Sequence, residues 1–72
     1  MITELEDAAV AQIGEAAGQV WKTLAAKGPL SQTKLIKESG VPRDLVLQAV
    51  GWLAREDKLQ FEEGRVRTIG LK

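Results

Sequence analysis

Residues 40–69, GVPRDLVLQAVGWLAREDKLQFEEGRVRTI, decide the fold. Gly40 is a left-handed stop for whatever precedes it. Pro42 fits the first turn of a new helix, where a missing N–H is harmless, and Asp44 lies near that helix's positive end. Leu45 to Ala54 carries apolar residues at helical spacing, so the pattern predicts a helix ending at about Glu56 or Asp57. Asp57 is one of the few non-glycine types that accepts a left-handed cap. Lys58-Leu59-Gln60-Phe61-Glu62 then alternates polar and apolar, the period of a half-buried strand. Glu63-Gly64 is a tight-turn signal, and Arg65-Val66-Arg67-Thr68-Ile69 returns as a second strand. The alternation slips between Val66 and Ile69, so a bulge or a change of face is expected there.

Upstream of Gly40, Ser31 is a good N-cap for a short second helix, with Leu30 placed to pack on Leu35 as a hydrophobic staple. Before that, an Ala-rich, proline-free stretch closes at Lys27-Gly28-Pro29, the punctuation of a helix end. Thr3-Glu4-Leu5-Glu6 has the form of a capping box. A first helix from about Glu4 to Ala26 is predicted, roughly 34 Å long at 1.5 Å per residue. Its strongest apolar side is Ile13, Ala17, Val20 and Leu24, with Trp21 beside it. The second and third helices are joined by a short turn containing a glycine, as in a helix-turn-helix. The hairpin after the third helix is then a wing, and a short strand around Pro29-Leu30 would give it a third edge. The expected fold is α+β, mostly α: a winged helix-turn-helix of three helices and a two- or three-stranded wing, one domain over residues 1–72.

Composition narrows the function. Ten Lys and Arg balance ten Asp and Glu, and the chain has neither Cys nor His nor Tyr. Disulfides, thiolate catalysis and Cys-ligated metals are excluded. Ser31 and Ser39 serve as helix punctuation, Glu56-Asp57 and Glu62-Glu63 do not converge, and no glycine-rich phosphate loop is present. No enzyme, cofactor, metal or small-molecule ligand is expected. No apolar run approaches the ~20 residues of a membrane span, and the opening Met-Ile-Thr-Glu lacks the marks of a secretory signal. A cytoplasmic domain with no membrane partner is expected. Charge is unevenly spread: residues 1–21 hold four acids and no base, whereas residues 22–72 hold ten bases and six acids. Either the basic body faces a phosphate backbone, or the early acids simply complement a helix dipole.

The run Gln48-Ala49-Val50-Gly51-Trp52-Leu53-Ala54-Arg55-Glu56-Asp57-Lys58-Leu59, continued by Gln60-Phe61-Glu62-Glu63, resembles the small stand-alone winged helix-turn-helix proteins of bacteria and archaea. These form a family catalogued as a domain of unknown function. Gly14, Ala17, Gly18, Val20 and Trp21 match in a similar register, so the resemblance covers nearly the whole chain, although the wing turn is shorter than the family implies. The resemblance implies a fold and no established function.

A recognition helix reads base edges with its first turns. If Val46, Val50 and Leu53 face the core, then Arg43, Asp44, Leu47 and Gln48 point outward. Arg43 can bond guanine and Gln48 adenine; alternatively Arg43 and Asp44 are a solvated first turn. Arg65 and Arg67 alternate along one face of the wing, with Lys34 and Lys37 on the second helix as further candidates for phosphate contact. The competing arrangement is a cross-strand ladder of Gln60, Glu62, Arg65 and Arg67.

The third helix is also apolar nearly all round, which usually means burial on more than one side. With the core face filled, Leu45, Leu47, Ala49 and Trp52 are left over. Gly14, Gly18 and Gly51 each cost about 1 kcal/mol relative to alanine inside a helix, and close approach of two helix backbones would explain them. Gly14 and Gly18, with Ala11 and Ala17, are expected to let the first helix cross the third near Gly51, within one chain or between two. Trp21 is expected in the core rather than as an interface anchor, whereas Trp52 serves as either. The surplus apolar surface leads to the expectation of a homodimer, with Gly14, Gly18, Leu45, Leu47 and Trp52 at its interface. Two functions follow: a DNA-binding module associated with transcription, or a protein-interaction domain on the same scaffold without DNA binding.

Overall fold

The computed structural model describes residues 4–72, with side chains from Ala8 onward. The capping box expected at Thr3-Glu4-Leu5-Glu6 lies outside the residues described to that detail. Helix α1 spans Glu4–Lys27, β1 Leu30–Ser31, α2 Gln32–Ser39, α3 Arg43–Arg55, β2 Leu59–Glu62 and β3 Thr68–Leu71. The strands form one antiparallel sheet in the order β1-β3-β2. Three helices and a three-stranded wing make this a winged helix-turn-helix.

Local chemistry accounts for most of the boundaries. The Gly28 N–H donates to the Leu24 carbonyl at 2.9 Å, and Pro29 forbids continuation of α1. Ser31 Oγ accepts from the Lys34 N–H at 3.3 Å, so the expected N-cap forms. Gly40 closes α2 at φ 69°, a conformation that a Cβ would strain. The Ser39 hydroxyl bridges the same turn, donating to the Ile36 carbonyl and accepting from the Val41 N–H. Asp57 does adopt the left-handed cap, at φ 62°. Around it the Lys58 N–H reaches the Leu53 carbonyl at 3.0 Å and the Asp57 N–H the Ala54 carbonyl at 3.1 Å. This paired return is the Schellman arrangement.

The core joins Ala16, Ala17, Val20 and Leu24 of α1 to Leu35 of α2, Val46, Ala49 and Leu53 of α3, and Leu59 and Ile69 of the sheet. Leu35, Val20 and Val46 are the largest of its fully enclosed side chains, each worth roughly 1.5–3 kcal/mol in transfer from water. Long α1 lies across α3 and sets the 43 Å long axis of a body 23 by 20 Å in cross-section.

Four expectations need correction. The second wing strand is not Arg65–Ile69 but Thr68–Leu71, leaving a five-residue loop, Glu63–Arg67, in place of a tight turn. Strand β3 is central and must pair on both sides, so its start is set by Leu30↔Ile69 and Phe61↔Ile69 rather than by alternation in the loop. At Gly70, within it, a Cβ would come to 3.2 Å from Pro29 Cγ, so the strand lies tight against Pro29 there. On α3 the core position is Ala49 rather than Val50, which is only partly buried, because α1 approaches from the Ala49 side. The helix crossing is built on Ala16, Ala17 and Ala49; a Cβ at Gly14, Gly18 or Gly51 would meet nothing within 4 Å. Close approach within the chain therefore explains none of these three glycines. Finally, Trp21 is not in the core: it is 46% exposed.

Candidate nucleic-acid interface

The outward side of α3 follows from which side is buried. With Val46, Ala49 and Leu53 inward, the opposite stripe carries Asp44, Gln48, Gly51 and Arg55. All four are exposed, as are Arg43 and Leu47. At 3.6 residues per turn Arg43 lies about 140° round from Gln48, so the two candidate base-reading residues occupy different edges of the exposed surface. Arg55, seven residues after Gln48, shares its stripe. Arg55 was not among the candidates expected from the sequence; its spacing of seven from Gln48 is the signal that would have found it.

Lys34 and Lys37 are exposed on α2, one turn apart. The wing supplies two arginines in different states. Arg67 Nε donates to both carboxylate oxygens of Glu63, at 2.5 and 3.2 Å, and its guanidinium stands 5.9 Å from the Phe61 ring centre. The hydrogen bond to Glu63, then its charge, hold the Arg67 guanidinium above its ordinary pKa. Arg65 is exposed and has no carboxylate partner among the described residues. Neither the expected one-faced pair of wing arginines nor a ladder with Gln60 and Glu62 forms, because both arginines sit in the loop; Glu62 pairs with Thr68 and Gln60 with Gly70.

Four ion pairs bind cations among the described residues: Lys27–Glu38, Lys58–Glu56, Arg67–Glu63 and Lys72–Asp57. Lys34, Lys37, Arg43, Arg55 and Arg65 are outside this set. The structure thus divides the six DNA-binding candidates: Lys34, Lys37, Arg43, Gln48 and Arg65 are exposed and uncommitted, and Arg67 is tied to a carboxylate.

The five interface candidates are divided too. Gly14, Gly18 and Trp52 line one groove between α1 and α3, of about 310 Å³, together with Trp21. Leu45 is half-buried against the chain's own core and faces a second groove. Leu47 lies on the outward side of α3 with Gln48, away from both. With Ala49 fully buried and Leu45 half-buried, one chain hides much of the apolar surplus on α3, leaving Leu47 and Trp52 exposed. Among the described residues no cluster of His, Asp or Glu able to hold a metal forms, and no helix is long and apolar enough to cross a membrane.

A family model described as the winged helix-turn-helix domain DUF2582 matches residues 6–69. The chain belongs to this family. An uncharacterized protein of Methanocaldococcus jannaschii, MJ1608, is 42% identical to this winged helix-turn-helix domain over 50 residues, covering 67% of this chain and 71% of its own. Among solved structures, protein BT2368 of Bacteroides thetaiotaomicron superposes with a TM-score of 0.76 at 31% identity, over 85% of this chain and 76% of that one. BpsR of Bordetella bronchiseptica, whose DNA binding is regulated by 6-hydroxynicotinic acid, gives a TM-score of 0.72 at 19% identity; the domain covers 42% of that chain and the match 79% of this one. The Zα domain of Carassius auratus PKZ, solved in complex with Z-DNA, gives 0.72 at 15% identity over 83% of this chain and 97% of that one. At such identities the last two likenesses establish the fold alone.

Proposed function

We propose that this winged helix-turn-helix domain binds double-stranded DNA as a non-enzymatic, transcription-associated module of the cytoplasm. The observation that carries the reading is the division of cations: Lys34, Lys37, Arg43 and Arg65 are exposed and, among the described residues, unpaired, on α2, the start of α3 and the wing loop. Phosphate contacts from such residues fix register and orientation, and Gln48 on α3 is the base-reading candidate. The DNA binding of BpsR and of the Zα domain, which share the fold, adds support.

The test is fluorescence anisotropy of a labelled mixed-sequence duplex at several salt concentrations. Four phosphate contacts should give a slope of log affinity against log salt of about −3.6. Arg65→Glu should weaken binding uniformly across sequences and flatten that slope. No detectable binding at low salt would overturn the proposal.

A second reading, association as a homodimer, is favoured by the large apolar side chains open to water. Val10, Trp21, Leu47, Trp52, Phe61 and Val66 are all exposed in the single chain. Sedimentation equilibrium tests it directly.

A further inference from the structure

An apolar surface that the core does not use runs along α1. Of the large apolar side chains exposed among the described residues, Val10, Trp21 and Trp52 stand on it or beside it. Ala11, Gly14, Gly18, Trp21 and Ala25 are all exposed and recur at spacings of three and four, the a and d positions of a helical seam. This stripe lies off the side that carries Ala16, Ala17, Val20 and Leu24 into the core. Its glycines are not required by the chain's own packing, since a Cβ at either would meet open space.

Charge selects the occupant. Glu15 and Lys22 flank the seam at the same heptad position, one residue after Gly14 and Trp21, and both are exposed. In an antiparallel pair of identical helices these equivalent positions face each other, so Glu15 of each chain meets Lys22 of the other. A parallel pair would set Glu15 against Val10 and Lys22 against Ala17, which is already buried in the chain's own core, so neither charge would find a partner. The same antiparallel register brings each Trp21 over the partner's Gly18 and each Ala25 over its Gly14, so the largest side chain meets the position with no side chain.

We infer that the α1 seam is the docking surface for a second copy of this chain, antiparallel, with Trp21 seated on Gly18 and Glu15 paired to Lys22 across a two-fold axis. This rests on the homodimer reading above and names its surface. It uses none of Lys34, Lys37, Arg43, Gln48 and Arg65, so the dimer and DNA readings stand or fall separately.

Sedimentation equilibrium on the full chain across a concentration series should show the 7.8 kDa species approaching twice that mass. Gly18→Leu places its Cβ in open space in the single chain and should melt no lower than wild type at high dilution, yet weaken association roughly 100-fold, the scale of an interface hot spot. Glu15→Lys, which sets like charges together twice, should weaken it about tenfold, and adding Lys22→Glu should restore it. A wild-type chain that stays monomeric at every concentration overturns both the dimer and its surface. A dimer indifferent to Gly18→Leu overturns the surface alone, and failure of the double exchange to restore association overturns the antiparallel pairing.

Discussion

Two sides of the same helix use small residues in opposite ways. On one, Ala16 and Ala17 are buried against α3 beside Val20 and Leu24, and their smallness lets two helices pack. On the other, Gly14 and Gly18 face open space while Trp21 stands out into water. The buried alanines are explained by the chain itself. The glycines are not: each lowers helix stability by about 1 kcal/mol relative to alanine, with no neighbour to accommodate. A residue type therefore does not carry its meaning with it. Small side chains mark a helix contact only where something lies across them, and in a single chain only one side of α1 meets that condition.

The contrast can be broken by substitution. The largest effect belongs to the buried side, where Leu24→Ala should destabilise the fold by about 2–5 kcal/mol in urea unfolding, through lost transfer energy and the cavity left behind. A loss below about 1 kcal/mol would mean that α1 is only loosely docked. Ala17→Leu, which forces methylenes into the crossing with α3, should cost about 1–3 kcal/mol in the same measurement. The open side should respond with the opposite sign: Gly14→Ala and Gly18→Ala should each stabilise the dilute chain by roughly 1 kcal/mol. Loss of stability at either glycine would show that its backbone is crowded after all. The smallest change is expected at Ala11→Ser, within about 0.5 kcal/mol, as for an exposed site touching nothing.

The wing shows a related contrast. Arg65 and Arg67 are two residues apart, yet Glu63 engages one and leaves the other open. Alternation in the sequence made them equivalent; the loop made them different. Glu63→Gln should free Arg67 and raise affinity for mixed-sequence duplex severalfold, read by anisotropy at low salt.

Much of the fold was legible because its boundaries are made by local chemistry. Ser31 caps α2, Gly40 ends it, Pro42 admits α3 and Asp57 turns the chain into the wing, each through contacts with residues at most a few positions away. The exposure of Arg43 and Gln48 was expected from a core face of Val46, Val50 and Leu53, of which Val46 and Leu53 are buried. What was not legible required distant partners. The start of β3 depended on pairing with β1 and β2 at once, which moved Arg65 out of the strand. Helical periodicity in α3 showed apolar residues on every side, and such a pattern has no preferred direction. Only the approach of α1 selected Ala49 over Val50 for burial. The order of elements and their ends were thus the sequence's own to determine, because caps and turns act over a few residues. Which side of α1 and α3 faces inward was left to the tertiary structure, because the direction of an apolar stripe exists only relative to what packs against it.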